Sequence, residues 1–193
     1  MDAFSPTIIR CGHVLAVSRS PKRSVRASRA TQCFAPVAAV DARVLILGSV
    51  PGQASLQAVQ YYAHPRNAFW PIMGELFGAA PECPYPERLQ RLQRHGIALW
   101  DVLASCDRPG SLDADIDDAT IIVNDFAKFF DFHPNIRRIV FNGTMAEHCF
   151  RRYADPQQSS HIAERWRLPS TSPAHAAMAY REKLERWREA LLH

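Results

Sequence analysis

Side chains that could bind and transform a ligand are concentrated in four short segments of the sequence. The segments span residues 48–70, 100–102, 142–143 and 168–175. They are rich in amide, hydroxyl and aromatic groups, which can bind water, the edge of a planar ring or its face. Asp101 is the only carboxylate in them, and none of them contains a lysine. This composition favours polar recognition over chemistry that needs an acidic cluster or an amine nucleophile.

Two asparagines are the most informative single residues of these segments. Asn142 follows a hydrophobic run and precedes Gly143, so its amide could bind the edge of a planar ring, and the next helix adds backbone donors. Asn67 directly precedes a predicted helix at 68–77, where asparagine is a common capping residue. Capping therefore remains the alternative role for Asn67, and a cap or turn role is equally open for Asn142.

A loop that contains glycine and proline, residues 48–52, follows the first hydrophobic run. Glycine after a strand lets the backbone approach a ligand closely. No Gly-Lys-Ser/Thr follows, which excludes a Walker phosphate loop, and the GxGxxG spacing of a dinucleotide-binding fold is missing. Taken alone, the loop is equally consistent with a simple turn.

Four short hydrophobic runs alternate with helical patterns along the chain. The predicted strands are residues 43–48, 97–101, 138–142 and 165–168. The predicted helices are residues 55–62, 68–77, 86–94, 124–132, 144–153 and 176–192. This alternation predicts an α/β fold in which helices cover both faces of a parallel sheet. Ligands bind such sheets at the carboxyl ends of the strands, and here those ends fall in the four segments.

The length of 193 residues fits one compact domain. Residues 1–32 are rich in serine and arginine and have no regular period, so they are predicted to form a disordered basic tail before a single domain at 33–193. Residues 1–40 carry a net charge of +5 and the remainder −1, so charge alone does not indicate DNA binding by the domain. The tail is equally compatible with an organelle transit peptide, a DNA-binding arm or an over-long gene start.

The cysteine pattern and the hydropathy exclude several classes of protein. No apolar run approaches the roughly 20 residues that a membrane-spanning helix needs, so no membrane association is expected. The five cysteines are odd in number and form neither a CxxC motif nor a Cys/His pairing. This argues against a disulfide framework and against a zinc or iron–sulfur site. Reduced thiols in a cytoplasmic protein are the expectation.

Three parts of the sequence resemble the motifs of the uracil-DNA glycosylase superfamily. Residues 48–70, which read GSVPG…SL…QYYAHPRNAFW, are similar to motif 1 of its hypoxanthine-DNA glycosylase family. Residues 96–102 (GIALWDV) and 168–174 (LPSTSPA) fit the same family, and the resemblance runs from about Cys33 to the C-terminus. It implies a three-layer α/β/α sandwich with a central four-stranded parallel sheet. It also implies an enzyme that flips a nucleotide out of DNA and hydrolyses its N-glycosidic bond.

The resemblance further assigns roles within the first two motifs. Asn67 takes the catalytic role of positioning water, because residues 48–52 lack the Asn or Asp that related families place between glycine and proline. Phe69 is expected to stack on the flipped base, with core packing beside Trp70 as the alternative. The other base-binding candidates are Asn142, Gly48, Ser49, Tyr62, His64, Trp100 and Asp101. Asp101 could accept a hydrogen bond from a purine ring N–H or could instead act as a capping group.

Residues 170–175 correspond to motif 2, which presses on the DNA backbone. Short hydroxyl side chains, free amides and an imidazole suit phosphate contacts. The predicted DNA-binding residues are Ser170, Thr171, Ser172 and His175. The loop contains no bulky wedge to fill the gap left by a flipped base, and Met178 and Tyr180 are the candidates for that role.

The sequence therefore predicts a monomeric, monofunctional DNA N-glycosylase that needs no metal or cofactor. Its partner would be DNA that contains a deaminated base, in the cytoplasm at the nucleoid. Hypoxanthine in deoxyinosine is the predicted base, and uracil is the alternative. Two other interpretations are a nucleoside hydrolase, which typically has an acidic cluster at the strand ends, and a non-catalytic DNA-binding module that depends on residues 1–32.

Overall fold

The computed structural model describes residues 31–108, 112, 115–154 and 162–192. Its strands are β1 (Thr31–Gln32), β2 (Val44–Gly48), β3 (Ile97–Asp101), β4 (Leu103–Cys106), β5 (Ile122–Val123), β6 (Arg138–Asn142) and β7 (Glu164–Leu168). Its helices are α1 (Gln53–Ala58), α2 (Phe69–Phe77), α3 (Tyr85–Arg94), α4 (Phe126–Phe132), α5 (Thr144–Tyr153) and α6 (Tyr180–Leu192). A short 3₁₀ helix, Asp118–Thr120, precedes β5.

A four-stranded parallel sheet in the order β3-β2-β6-β7 forms the centre of the fold. Strand β2 lies in the middle because its sequence, VLILG, is apolar on both faces. Leu45 and Leu47 pack on one face with residues of α4 and α5, whereas Ile46 packs on the other face with residues of α2, α3 and α6. The sheet is thus covered on both sides, which confirms the predicted three-layer α/β/α sandwich.

The helix boundaries differ from the predictions at two places that border the site. Helix α1 ends at Ala58 rather than near residue 62, because Val59 adopts a left-handed conformation with φ 52°. Helix α6 begins at Tyr180 rather than near residue 176, and the backbone N–H of His175 closes a turn on the carbonyl of Ser172 just before it. Helix α2 ends as predicted, with Gly78 in the left-handed region at φ 70°.

A second, three-stranded antiparallel sheet in the order β1-β4-β5 was not predicted. Two of its strands are two residues long, and so short a segment carries no detectable period. Thr31 and Gln32, which the sequence analysis placed in a disordered tail, pair with Cys106 and Ser105. The remainder of the predicted tail, residues 1–30, lies outside the described residues. None of the described helices is long and apolar enough to span a membrane.

Candidate active site

A cavity of about 750 Å³ opens at the carboxyl ends of the four parallel strands. Its volume lies within the range of roughly 300–1,000 Å³ that is usual for ligand sites. The last residues of the four strands, Gly48, Asp101, Asn142 and Leu168, all line it. The loops that follow β2 and β7 form two of its walls. The site therefore lies where parallel-sheet folds place their ligands, as the sequence predicted.

The floor of the cavity carries a buried carboxylate beside a glycine. Asp101 is 3% exposed and pairs in register with Gly48 of the neighbouring strand. A Cβ atom at position 48 would overlap Oδ1 of Asp101, so the carboxylate can occupy this position only because residue 48 is glycine. The floor thus offers a hydrogen-bond acceptor to any base that reaches it.

Tyr62 covers the floor from the side of α2. Its ring stacks on that of Phe69 at a centroid distance of 3.9 Å and an interplanar angle of 24°. Burial, and then the neighbouring Asp101 carboxylate, raise the pKa of the Tyr62 hydroxyl, and hydrogen bonding by the nearby Asn142 amide opposes them with a smaller lowering. The enclosed hydroxyl meets the full geometry of a hydrogen bond with none of the described residues, so its contact with Asn142 is a loose one.

The backbone of Tyr62 is left-handed, with φ 57°, which is uncommon for an aromatic residue. Its neighbour Tyr61 is held from both sides: its N–H donates to the hydroxyl of Tyr85, and its carbonyl accepts from Nε1 of Trp70 at 2.8 Å. These contacts hold the turn that brings the Tyr62 ring to the cavity. Strained conformations of this kind concentrate at functional sites.

Two aromatic residues predicted to bind the base do not line the cavity. Phe69 is 0% exposed and lies behind Tyr62, so the ring that borders the cavity is that of Tyr62. Trp100 is 6% exposed and packs against Phe126 and Phe129 of α4. This is the face of the sheet opposite to the one that Phe69 covers. Successive residues of a strand point to opposite faces, and so Trp100 cannot accompany Asp101 into the site.

Asn67 borders the cavity at the start of α2 and is half-buried. Its Oδ1 accepts a hydrogen bond from the backbone N–H of Phe69 at 3.0 Å, and its own N–H donates to the carbonyl of His64 at 2.8 Å. Ala68, not Asn67, is the N-cap residue of α2, and the helix has no side-chain cap; Asn67 instead binds the first N–H of the helix from one residue earlier. Its Nδ2 group makes no hydrogen bond to the described residues, so the amide can still bind a water molecule or a ligand.

The side chain of Asn142 is engaged at both ends of its amide with Thr171. Nδ2 donates to Oγ1 of Thr171 at 2.8 Å, and Oδ1 accepts from the Thr171 backbone N–H at 2.8 Å. Asn142 thus ties the end of β6 to the loop after β7, and it can bind a base only through the one amide hydrogen and the one Oδ1 lone pair that this pair leaves over. Thr171 is 1% exposed, so its hydroxyl is not available to a phosphate, contrary to the prediction.

The other residues of the loop after β7 line the cavity as expected. Ser170 and Ser172 each accept a backbone N–H with their hydroxyl oxygen, from Ser172 and Ala174 respectively, and can still donate their own proton. His175 is exposed at the cavity rim. Ser49 and His64 also line the cavity, and Nδ1 of His64 accepts the N–H of Arg66.

Of the two wedge candidates, only Met178 is among the lining residues. The hydroxyl of Tyr180 donates to Glu75 at 2.8 Å, away from the cavity.

Sequence reasoning missed two buried cations next to the loops. Arg108 is 5% exposed, lines the cavity and donates to the carbonyl of Pro51 in the loop after β2. Lys183 is 5% exposed and contacts the loop after β7 from α6. Arginine and lysine are normally exposed, so neither residue stood out in its segment. The signal for Lys183 was its spacing of four from Trp187, which places both residues on the buried face of α6.

Comparison with known proteins agrees with this geometry. The family description "Uracil DNA glycosylase superfamily" matches residues 35–193. The hypoxanthine DNA glycosylase of Methanosarcina barkeri is 41% identical over 113 residues, which cover 58% of this chain and 70% of that protein. The protein of the same name from Methanosarcina acetivorans is 38% identical over 114 residues, with coverages of 58% and 71%.

A solved structure extends the similarity to the whole fold. It is the solution NMR structure of a candidate uracil DNA glycosylase from Methanosarcina acetivorans, with a TM-score of 0.68 and 31% sequence identity. The match covers 85% of this chain and 99% of that chain. Sequence and fold therefore lead to the same family. The chain belongs to the uracil DNA glycosylase superfamily.

Proposed function

We propose that the protein is a DNA glycosylase that removes a deaminated base, with hypoxanthine in deoxyinosine as its principal substrate. The observation that carries the proposal is the buried Asp101 carboxylate on the floor of a cavity large enough for a flipped nucleotide. The choice of hypoxanthine is also supported by the names of the two Methanosarcina relatives.

The carboxylate of Asp101 supplies a physical basis for the recognition of deaminated bases. Deamination of adenine to hypoxanthine converts N1 from a hydrogen-bond acceptor into an N–H donor beside a carbonyl, and deamination of cytosine to uracil does the same at N3. An acceptor on the floor of the pocket binds the deaminated ring and repels the lone pair of the parent base. A parent base would turn a lone pair rather than an N–H toward this carboxylate, and such a mismatch in a buried site makes the rejection of the parent base strong.

The remaining residues of the site supply the other requirements of the reaction. Tyr62 offers the flat surface on which the base stacks, in place of the buried Phe69. Asn67 holds the water that adds to C1′ of the oxocarbenium-like sugar, while the bond to the base breaks and its electrons leave with the base. The water loses a proton as it forms the new C1′–OH group, and the departing base takes up a proton from solvent. Residues 170–175 contact the DNA backbone beside the flipped nucleotide.

Hydrolysis by water, rather than attack by an amine, fits the placement of the lysines. The described part of the chain contains Lys128 and Lys183, and neither lines the cavity. A lysine that formed a Schiff base with C1′ would have to reach the sugar from the cavity wall. We therefore expect a monofunctional enzyme that leaves an intact abasic site. We also expect it to act as a monomer on chromosomal DNA, at the nucleoid.

Excision from labelled oligonucleotides tests this function. Single- and double-stranded oligonucleotides with one deoxyinosine, deoxyuridine or deoxyxanthosine are incubated with the protein, and abasic sites are revealed by alkaline cleavage. We expect an abasic product from deoxyinosine and none from a matched deoxyadenosine control. Excision of uracil alone would overturn the choice of base, and the absence of any abasic product from folded protein would overturn the proposed function.

The stacking role of Tyr62 leads to a separate expectation. Tyr62→Ala should lower excision of hypoxanthine about tenfold, because stacking of a base on an aromatic ring is worth roughly 1–3 kcal/mol. Single-turnover rates on the deoxyinosine duplex measure this effect. Tyr62→Phe is the matched control, because it keeps the ring and removes only the hydroxyl, which lies beside the Asn142 amide but forms no hydrogen bond of full geometry with the described residues. A Tyr62→Ala variant that kept the full rate would exclude Tyr62 as the stacking surface.

A further inference from the structure

Lys183 is a buried cation that bridges the two ends of the loop after β7. Its Nζ donates to the carbonyl of Ser170 at 2.6 Å and to the carbonyl of His175 at 3.3 Å. The side chain projects from α6, where one turn later Nε1 of Trp187 donates to the carbonyl of Pro169 at 3.1 Å. Helix α6 thus holds the loop at three backbone carbonyls.

Within the described part of the chain, the positive charge of the ammonium group is bound only by these carbonyl oxygens and by no carboxylate. Lys183 is 5% exposed and takes part in none of the ion pairs there. Burial lowers the pKa of its ammonium from the ordinary value. A buried charge without a carboxylate partner costs free energy, and an apolar residue at this place on the inner face of α6 would avoid that cost. The presence of a lysine therefore calls for an explanation beyond packing.

The explanation lies in which side of the loop the ammonium occupies. Residues 168–175 line the cavity, whereas Lys183 does not, so the lysine lies behind the loop. Charge-assisted hydrogen bonds draw the two carbonyl oxygens toward it. Carbonyl oxygens repel the phosphate oxygens of DNA. With these two carbonyls bound behind the loop, the hydroxyl groups of Ser170 and Ser172 are the donors that it presents to the cavity. The charge itself also lies close behind the surface that would meet the DNA backbone.

We propose that Lys183 is a positioning residue for DNA binding: it holds residues 170–175 in the shape that contacts the DNA backbone, without touching the base or the sugar. The inference rests on the proposed function, since it takes DNA as the partner of this loop. It predicts a defect in DNA binding that is larger than any defect in the chemical step.

Substitution of Lys183 separates binding from chemistry. Lys183→Met keeps an unbranched apolar side chain that is one atom shorter, and it removes the charge and all three donors. The dissociation constant is measured by fluorescence anisotropy on a duplex with a tetrahydrofuran abasic analogue. The rate of excision is measured in single turnover at saturating enzyme. We expect the dissociation constant to rise about tenfold, as for the loss of hydrogen bonds to a charged group, and the saturated rate to change less than about threefold.

Two further variants complete the design. Lys183→Arg restores the charge and the donors and should recover most of the affinity for DNA. If Lys183 acted only through apolar packing, the restored charge would not recover that affinity. Lys128→Met removes the other described lysine, which is exposed on α4, and should bind DNA like the unmodified protein. If Lys183→Met does not fold in a thermal scan, Lys183→Gln, which keeps donors without charge, takes its place and should bind several-fold more weakly.

The outcomes distinguish this inference from the proposed function. An unchanged dissociation constant for the folded Met or Gln variant would overturn the inference and leave the glycosylase function intact. A lower saturated rate with unchanged affinity would overturn it as well, because it would place Lys183 in the chemical step. A protein that binds the duplex but removes no base would overturn the proposed function, and the affinity series would still test Lys183.

Discussion

Replacement of Asn67 by alanine is expected to lower the saturated single-turnover rate of hypoxanthine excision by at least about 100-fold, the effect typical of losing one preorganised polar group. Asn67 lines the cavity, and its Nδ2 has no hydrogen-bond partner among the described residues, so the amide can orient the attacking water. Binding of an abasic-analogue duplex should change only a few fold, because the water is needed in the chemical step. The measurement is the rate on a deoxyinosine duplex at saturating enzyme.

The control for Asn67→Ala must account for the hydrogen bond that the same side chain accepts from the first N–H of α2. Loss of such a bond at the start of a helix typically destabilises a protein by about 1 kcal/mol. Asn67→Ser keeps an oxygen for the N–H of Phe69 but is too short to hold water at the amide position. We expect Asn67→Ser to recover the thermal unfolding midpoint without recovering the rate. Recovery of both would mean that Asn67 only supports the start of α2.

The sheet and the position of the cavity could be predicted from sequence because both follow from strong local patterns. Four short hydrophobic runs in alternation with helices leave few arrangements other than a parallel sheet. The strand bounds Ile97–Asp101 and Arg138–Asn142 agree with the predicted ones to the residue. The carboxyl-end rule then located Gly48, Asp101 and Asn142 at one edge without any knowledge of side-chain contacts.

The aromatic residues of the site could not be assigned in this way. Tyr62 lines the cavity because its backbone is left-handed. A tyrosine in the sequence does not indicate this conformation, so the choice of ring could not be predicted. The resemblance predicts Phe69 as the residue that stacks on the base, yet Phe69 is a buried residue at the start of α2. The exclusion of Trp100 was available from sequence, because a strand that turns Asp101 toward the site must turn Trp100 away from it.

The side chains that hold the loops after β2 and β7 in place act through tertiary contacts, and such contacts leave only weak signals in the sequence. Arg108 and Lys183 bind backbone carbonyls of the loops after β2 and β7, 57 and 13 residues away along the chain. The pairing of Asn142 with Thr171 likewise spans 29 residues. Contacts of this kind depend on how the elements pack together, and periodicity describes only the elements themselves.

Replacement of Gly48 by alanine is expected to abolish detectable excision, because the added methyl group and the Asp101 carboxylate cannot occupy the same space. The overlap falls on Oδ1 of Asp101, and the next neighbour, the Tyr62 hydroxyl, lies 3.4 Å from the added atom. Overpacking of this kind also costs about 1–3 kcal/mol of stability. Gly52→Ala, in the same loop, is the matched control, because a methyl group there meets no atom within 4 Å. Gly52 is the N-cap residue of α1, so we expect only a small fall in the unfolding midpoint and no loss of excision from overlap.

The double variant Gly48→Ala/Asp101→Ala decides why the glycine is needed. Removal of the carboxylate relieves the overlap, so the unfolding midpoint in a thermal scan should return toward that of Asp101→Ala alone. Excision should not return, since the acceptor for the ring N–H is then missing. Excision restored in the double variant would mean that Asp101 takes no part in base recognition. The closeness of Gly48 to Asp101 would then be a matter of packing, and the selection of deaminated bases would have to come from another wall of the cavity.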